Sequence, residues 1–137
     1  MTRTRPDQPH LLQKELTGQI IGAFYECYNI LRFGYLESVY RRALAIELRL
    51  RGHQCMEEGL VEVEYKGIAV GAYRYDLLVD DRVIVEVKAG DTLGPTDKAQ
   101  LLNYLRATKV EVGLLMHFGP EPNFHRFVHQ HESDPDP

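Results

Sequence analysis

Two carboxylates and a lysine near the middle of the chain form the pattern with the clearest chemical potential. Glu86 and Lys88 stand two residues apart in the apolar run 83–88, and Asp76 precedes Glu86 by ten residues. In an extended strand every second side chain points to the same face, so Glu86 and Lys88 share a face. Because lysine is depleted in strands, a strand that carries Lys88 and Glu86 on one face is unusual and indicates that this charged pair has a partner nearby.

The length of the turn before this strand decides whether Asp76 joins them. A two-residue turn at 80–81 would pair Tyr75 with Glu86 and put Asp76 on the opposite face. A three-residue loop over 80–82 pairs Asp76 with Glu86 on one face. We therefore predict the odd-length loop, or a bulge with the same effect.

Such a pair of carboxylates suits a hard divalent cation. Adjacent like charges repel, and bound Mg²⁺ or Mn²⁺ would relieve the repulsion while keeping waters for a phosphate to replace. The ammonium of Lys88 would lower the pKa of an attacking water or neutralise charge that develops on the phosphorus centre. The competing interpretation is a solvent-facing strand with a cross-strand ion pair, which is the commoner meaning of this spacing by itself.

Two helices are predicted ahead of the strands. In residues 11–32 the apolar positions Leu16, Ile20 and Cys27 follow helical spacing, which makes Cys27 a small buried residue. A second helix is predicted over 36–51, and Gly52 ends it.

The remaining elements complete an α/β domain. Period-two alternation and turn residues predict strands over 61–65, 68–70, 73–79 and 83–88. Pro95 can begin a helix, and the continuous apolar run over 110–118 predicts a buried central strand. The strand over 83–88, the helix that begins at Pro95 and the strand over 110–118 form a β-α-β crossover. Such a crossover is expected to be right-handed, with its two strands parallel. The order is two helices, three or four strands, a helix and a strand, which is α-α-β-β-β-α-β when the middle group has three strands. This order predicts a mixed β-sheet flanked by α-helices.

Four segments in this order resemble a known family. Gly34, Glu37 and Tyr40 form the motif G-x-x-E-x-x-Y, and YRYDLLV, VIVEVKA and AQLLNYL follow it over 73–79, 83–89 and 99–105. Together they resemble the GxxExxY proteins, a family within the PD-(D/E)XK nuclease superfamily, over roughly residues 15–120. The resemblance implies a restriction-endonuclease-like fold and a nuclease that depends on Mg²⁺ or Mn²⁺.

The resemblance also implies roles for single residues. Asp76 and Glu86 would be metal ligands, Glu37 would be an additional acid, and Lys88 would be the catalytic lysine. Gln100 resembles a glutamine that such proteins carry at the start of the following helix. Tyr104 lies one turn later on the same helix face.

Substrate contacts are predicted from Tyr40, Tyr104 and Arg41. Arginines crowd the second helix at positions 41, 42, 49 and 51. Such a group is usual on a solvated face, and it is also the best candidate for phosphate contacts.

Composition limits the classes of protein that fit. The chain has 137 residues with 16 Lys and Arg against 20 Asp and Glu, which predicts one domain over 11–128 with flexible tails at 1–10 and 129–137. Its apolar runs are far shorter than the roughly 20 residues of a membrane helix. The two cysteines do not resemble a disulfide framework, so free thiols and a cytoplasmic location are expected.

Two functions from different classes stay open. The favoured one is metal-dependent phosphodiester hydrolysis of nucleic acid, with DNA as the expected substrate and a homodimer as the means of engaging a duplex. The alternative is a non-catalytic module that binds nucleic acid or protein on a nuclease-like scaffold. The net charge of −4 suits the alternative, because DNA-coating domains are usually basic. A module that only binds has no need of Asp76, Glu86 and Lys88 on one face, which favours an enzyme.

Overall fold

Three helices and seven strands make up residues 12–131, the part of the chain that the computed structural model describes. In chain order they are α1 (Lys14–Leu31), α2 (Glu37–Leu50), β1 (Cys55–Glu57), β2 (Leu60–Tyr65), β3 (Ile68–Arg74), β4 (Leu77–Val79), β5 (Val83–Ala89), α3 (Pro95–Ala107), β6 (Val112–Phe118) and β7 (Pro122–Val128).

Five of the strands form one mixed sheet in the order β1-β4-β5-β6-β7. β5 and β6 run parallel, as the predicted crossover through α3 requires, and the other neighbours run antiparallel. β2 and β3 form a separate two-stranded hairpin. The fold is thus a mixed sheet flanked by helices, consistent with the restriction-endonuclease-like class that was predicted.

Strand β5 divides the interior into two apolar layers. Val85 and Val87 pack with α1 and α2 on one face of the sheet. Ile84 packs with Leu101 and other residues of α3 on the opposite face. By the alternation of the strand, Glu86 and Lys88 follow Ile84 onto the face of α3, which confirms the predicted parity.

The structure corrects one strand prediction and adds two strands that were not predicted. The stretch predicted as one strand over 73–79 is interrupted: β3 continues to Arg74, and the chain bends before β4 begins at Leu77. At the bend Tyr75 N donates to Gly59 O, and a Cβ at Gly59 would lie only 2.0 Å from Tyr75 Oη. β1 and β7 were not predicted, since β1 has three residues and β7 begins at a proline and alternates poorly.

The loop between β4 and β5 has the predicted length. Val79 pairs with Val83, so residues 80–82 form a three-residue connection. Asp80 and Asp81 have φ values of 51° and 56°, a left-handed conformation that aspartate tolerates in turns. The Asp80 carboxylate accepts a hydrogen bond from Gln54 N at 2.8 Å and contacts His53 Nδ1 at 2.7 Å. The turn is thereby tied to the segment that follows α2.

Asp80 is expected to make stability depend on pH. Partial burial acts to raise its pKa, but hydrogen bonds from His53 and Gln54 N outweigh it, so the pKa is lowered. The stabilisation is then complete above the ordinary carboxyl pKa of about 4 and is lost as pH falls through the lower folded value. We expect Asp80→Ala to lower the free energy of unfolding at neutral pH by about 1–2 kcal/mol, measured by urea denaturation.

The neighbouring Asp81→Ala variant is the matched control. Asp81 shares the left-handed backbone but is exposed, so it reports the backbone effect alone. If both variants lose the same free energy of unfolding, and that free energy falls equally steeply with pH in the acidic range, the hydrogen bonds of Asp80 contribute nothing.

Three further expectations concern the chain ends, the cysteines and membrane segments. Residues 129–131 are held to the segment before β6, because His129 N donates to Glu111 O and His131 N to Glu111 Oε2. The other positions of the predicted tails, 1–10 and 132–137, lie outside the described residues.

Cys27 and Cys55 are buried and free, and burial raises the pKa of each thiol to about 11. Within residues 12–131 no helix has the length and apolarity to cross a bilayer.

Candidate active site

The candidate site is built around Asp76 and Glu86, at the point where β4 gives way to the bend. Asp76 N donates to Glu86 Oε2 at 2.8 Å, and Val87 N donates to Asp76 Oδ2 at 2.7 Å. Each carboxylate is therefore held by a backbone N–H from the neighbouring segment. The structure brings together the pair that the three-residue loop predicts. The pairing of β4 with β5 ends at Leu77 opposite Val85, so Asp76 and Glu86 are the next residues of the two segments.

The electrostatics of the pair are unfavourable for two negative charges. Burial, followed by the negative charge of Asp76, raises the pKa of Glu86, whose exposed fraction is only 3%. Burial also raises the pKa of Asp76, against the opposing effects of the Val87 N–H and the Lys88 ammonium. Both carboxyl groups thus bind protons more tightly than usual, and a cation between them would relieve the same strain.

The donor set fits Mg²⁺ or Mn²⁺. These hard ions take oxygen ligands, and Mg²⁺ is commonly bound through one or two carboxylates with waters and substrate phosphates in the other positions. Among the described residues no group of three His, Cys, Asp or Glu side chains has the arrangement to hold a metal ion. The structure therefore supplies one buried and one half-buried carboxylate, Glu86 and Asp76, and leaves the other positions to water and substrate.

Glu37 approaches this site but does not complete a three-carboxylate set. It begins α2, which packs on the opposite face of the sheet from Glu86. Its Oε2 accepts a hydrogen bond from Ala89 N at 3.4 Å. Its negative charge contributes to the raised pKa of both Asp76 and Glu86. The structure thus places the Glu37 carboxylate at the end of β5, and its role as a metal ligand stays a prediction.

Lys88 lies on the predicted face and is half-buried. Its Nζ is 3.6 Å from Asp97 Oδ1, and its charge acts to lower the pKa of both Asp76 and Glu86. Asp97 also accepts a hydrogen bond from Gly94 N at 2.9 Å, so its side chain is fixed at the start of α3. Asp97 was not among the predicted site residues. Its position in the first turn of the helix that follows a strand lysine is the signal that would have identified it.

Gln100 and Tyr104 lie on one face of α3, as their spacing predicts. Gln100 Nε2 donates to Tyr104 Oη at 2.8 Å, and Tyr104 Oη donates to Arg74 O at 2.8 Å. Burial and the charge of Glu86 raise the pKa of Tyr104 to about 12, so its hydroxyl stays protonated at neutral pH. Because Tyr104 is only 1% exposed, it anchors Gln100 rather than meeting a substrate, contrary to the prediction.

Tyr40 also differs from its predicted role as a substrate contact. Its side chain has no exposed surface, and its ring stacks on Phe118 with 4.1 Å between centroids. Its hydroxyl donates to Arg32 O and accepts a hydrogen bond from Tyr35 N. Tyr40 therefore holds the connection between α1 and α2 against the sheet, and a substrate would reach it only after rearrangement.

Arg41 is engaged by acidic side chains that follow α2. Its Nη1 lies 3.2 Å from Glu58 Oε1 and its Nε lies 3.8 Å from Glu57 Oε1. Arg42 and Arg49 also pair with Glu57. The predicted phosphate-contacting arginines are thus largely neutralised within the fold, although the charge of Arg41 still acts to lower the pKa of Asp76.

A conservative substitution tests the role of Tyr40. Tyr40→Phe keeps the stacked ring but removes the hydroxyl that serves Arg32 O and Tyr35 N. We expect the free energy of unfolding to fall by about 0.5–1.5 kcal/mol, because two partly buried backbone groups lose their partner. Urea denaturation measures this, with Tyr35→Phe at a half-exposed ring as the control. Weaker oligonucleotide binding without any loss of stability would restore the substrate-contact role.

Comparison with known proteins agrees with this geometry. The sequence profile of the PD-(D/E)XK nuclease superfamily matches residues 14–127. The chain belongs to the PD-(D/E)XK nuclease superfamily. No curated protein and no solved structure matches the chain. The assignment of Asp76, Glu86 and Lys88 to the D and the E-X-K of the superfamily's name stays a prediction, as does the narrower assignment to the GxxExxY proteins.

Proposed function

We propose that this protein hydrolyses phosphodiester bonds of nucleic acid, DNA among them, with the help of Mg²⁺ or Mn²⁺. The observation that carries the proposal is the adjacent pair of Asp76, which is half-buried, and Glu86, which is buried. Two backbone hydrogen bonds fix the pair, and Lys88 lies on the same strand face as Glu86. Membership of a nuclease superfamily supports a nucleic acid as the substrate.

Each side chain then has a chemical task. Asp76 and Glu86 would hold the cation, which when bound polarises the phosphate and makes a water more acidic. Lys88 holds a positive charge beside the place where negative charge develops, and Asp97 restrains its ammonium. Gln100, tethered through Tyr104 to the bend before Asp76, orients water or a phosphate oxygen.

The alternative is a module that binds nucleic acid or protein without cutting. The acidic balance and the paired arginines of α2 favour it. The carboxylate pair is evidence against it, because a buried carboxylate beside a half-buried one destabilises the fold when no cation is bound. A protein that only binds would gain stability by losing one of them.

Cleavage assays decide between the two. Labelled single-stranded and duplex DNA and RNA are incubated with the protein in Mg²⁺, in Mn²⁺ and in EDTA. We expect cleavage only with a divalent ion, and no cleavage by Glu86→Gln under any condition. Glu26→Gln, an exposed position on α1, is the matched control. Saturable Mn²⁺ binding without cleavage of any substrate would support the binding module instead.

The expected homodimer remains a prediction. Sedimentation velocity of the purified protein, with and without an oligonucleotide, would test it.

A further inference from the structure

Two clefts lie near the candidate site, one at the start of α2 and one beside α3. The first, of about 490 Å³, is lined by residues that include Phe33, Tyr35, Glu37 and the end of β5. The second, of about 330 Å³, is lined by residues that include Tyr73, Asp97 and Gln100. Each cleft has one lining residue that contacts β5 next to the site, because Glu37 accepts a hydrogen bond from Ala89 N and Asp97 contacts Lys88.

Each cleft carries an exposed tyrosine that is braced from behind. Tyr35 is 52% exposed, and its ring meets the edge of buried Tyr40 at 6.0 Å between centroids. Tyr73 is 49% exposed, and its ring meets that of buried Tyr104 at 6.0 Å. Both buried tyrosines are hydrogen-bonded to backbone carbonyls, so each exposed ring rests on a fixed support.

In the part of the chain that the structure describes, the one charged side chain that lines each cleft is acidic, Glu37 in the first and Asp97 in the second. Among the same residues, the lining of neither cleft includes an arginine or a lysine. The arginines at positions 41, 42 and 49 of α2 form ion pairs with Glu57 and Glu58. Affinity for a duplex depends mainly on cations that neutralise its phosphates. Single strands offer unstacked bases, whose faces bind aromatic side chains regardless of sequence.

We propose that the substrate is a single strand of nucleic acid, with bases on the two sides of the cleaved phosphate stacked on Tyr35 and Tyr73. This rests on the proposed function, because it names the substrate class of the same site. Stacking on two braced rings supplies the affinity that the acidic surface does not. The scissile phosphate is thereby brought to Lys88 and the carboxylate pair, between the two clefts.

Binding of uncleavable oligonucleotides in Mn²⁺, followed by fluorescence anisotropy, tests the proposal. A labelled DNA strand, the matching RNA strand and the duplex of the same sequence are compared. We expect tighter binding of the single strands than of the duplex. Tyr35→Ala and Tyr73→Ala should each weaken single-strand binding by about 5- to 150-fold, the usual effect of removing one stacking ring.

The variants need matched controls. Tyr73→Phe and Tyr35→Phe keep the stacking ring and should bind within about twofold of the unmodified protein. Tyr65→Ala removes a tyrosine that is 63% exposed but lies at the end of β2, outside both clefts, and should change nothing. Equal thermal unfolding temperatures of all variants would exclude a folding defect.

The outcomes separate this inference from the proposed function. Duplex binding as tight as single-strand binding, or alanine variants that bind single strands normally, would overturn the inference even if the protein cleaves. Single-strand binding that the alanine variants lose would support it, even where no substrate is cleaved. In that second case only the proposed hydrolysis would be rejected.

Discussion

Lys88→Ala is expected to lower the rate of cleavage by about 10²–10⁴-fold, as loss of a group that stabilises charge at the reacting centre usually does. The Lys88 ammonium lies on the strand face of Glu86 and within 3.6 Å of Asp97. Removing the ammonium takes away a positive charge that competes with the metal, which strengthens Mn²⁺ binding. It also raises the affinity of the Asp76 and Glu86 carboxyl groups for protons, which weakens Mn²⁺ binding. Because these effects oppose each other, Mn²⁺ affinity should change little.

Single-turnover kinetics and calorimetric Mn²⁺ titration on the same preparation would check both halves of this prediction. Lys109→Ala is the matched control, because Lys109 is exposed and precedes β6 at the opposite end of the parallel strand pair. Lys88→Arg keeps the charge but not the compact ammonium, so only part of the activity should return. Cleavage by Lys88→Ala at the unmodified rate would show that the mechanism is wrong.

Glu86→Gln is expected to abolish saturable Mn²⁺ binding and, in metal-free buffer, to stabilise the protein. Glutamine keeps an oxygen that can accept the hydrogen bond from Asp76 N, and it cannot ionise. It therefore avoids the free-energy cost of holding a proton on Glu86, whose pKa is raised to about 8, or of leaving it charged beside Asp76. The gain in unfolding free energy at neutral pH should be on the order of 1–3 kcal/mol. Substitution at this position thus exchanges metal binding for stability.

The pH dependence has a definite sign. The pKa of Glu86 is higher in the folded protein than in the unfolded chain, so the folded state binds more protons once pH exceeds the ordinary carboxyl range. The metal-free unmodified protein should therefore lose stability as pH rises from there towards the folded pKa, and Glu86→Gln should lose less. Mn²⁺ should raise the unfolding temperature of the unmodified protein and leave that of Glu86→Gln unchanged.

Glu26→Gln again provides the control, since it removes an exposed carboxylate from α1. Mn²⁺ binding by Glu86→Gln with normal affinity would show that the cation lies elsewhere. If Glu86→Gln is less stable than the unmodified protein in EDTA, the hydrogen bond from Asp76 N needs a full carboxylate charge as its acceptor. That hydrogen bond then contributes more stability than the repulsion between the two carboxylates costs.

The residues whose placement follows from local geometry were predictable. The side-chain alternation of a strand and the odd length of the loop together put Asp76, Glu86 and Lys88 in one place. Helical spacing put Gln100 and Tyr104 on one face, where they are hydrogen-bonded. Both periods depend only on the backbone within one element or one hairpin, so a sequence carries them directly.

The residues whose role depends on distant partners were not predictable. Tyr40 is buried because Phe118, from the other end of the chain, stacks on it. Arg41 is neutralised because the chain returns with Glu57 and Glu58 beside α2. Strand β1 exists because β4 pairs with it, since three residues carry too little pattern to be recognised alone.

The sequence by itself determined the mixed α/β fold, the carboxylate pair and the lysine beside it, because these follow from short-range periodicity and from turn length. Only the tertiary structure decided which neighbouring side chains are accessible. It buried Tyr40 and Tyr104 and left Tyr35 and Tyr73 exposed in front of them. The physical reason is that burial is set by contacts between elements far apart in sequence, which no local pattern records.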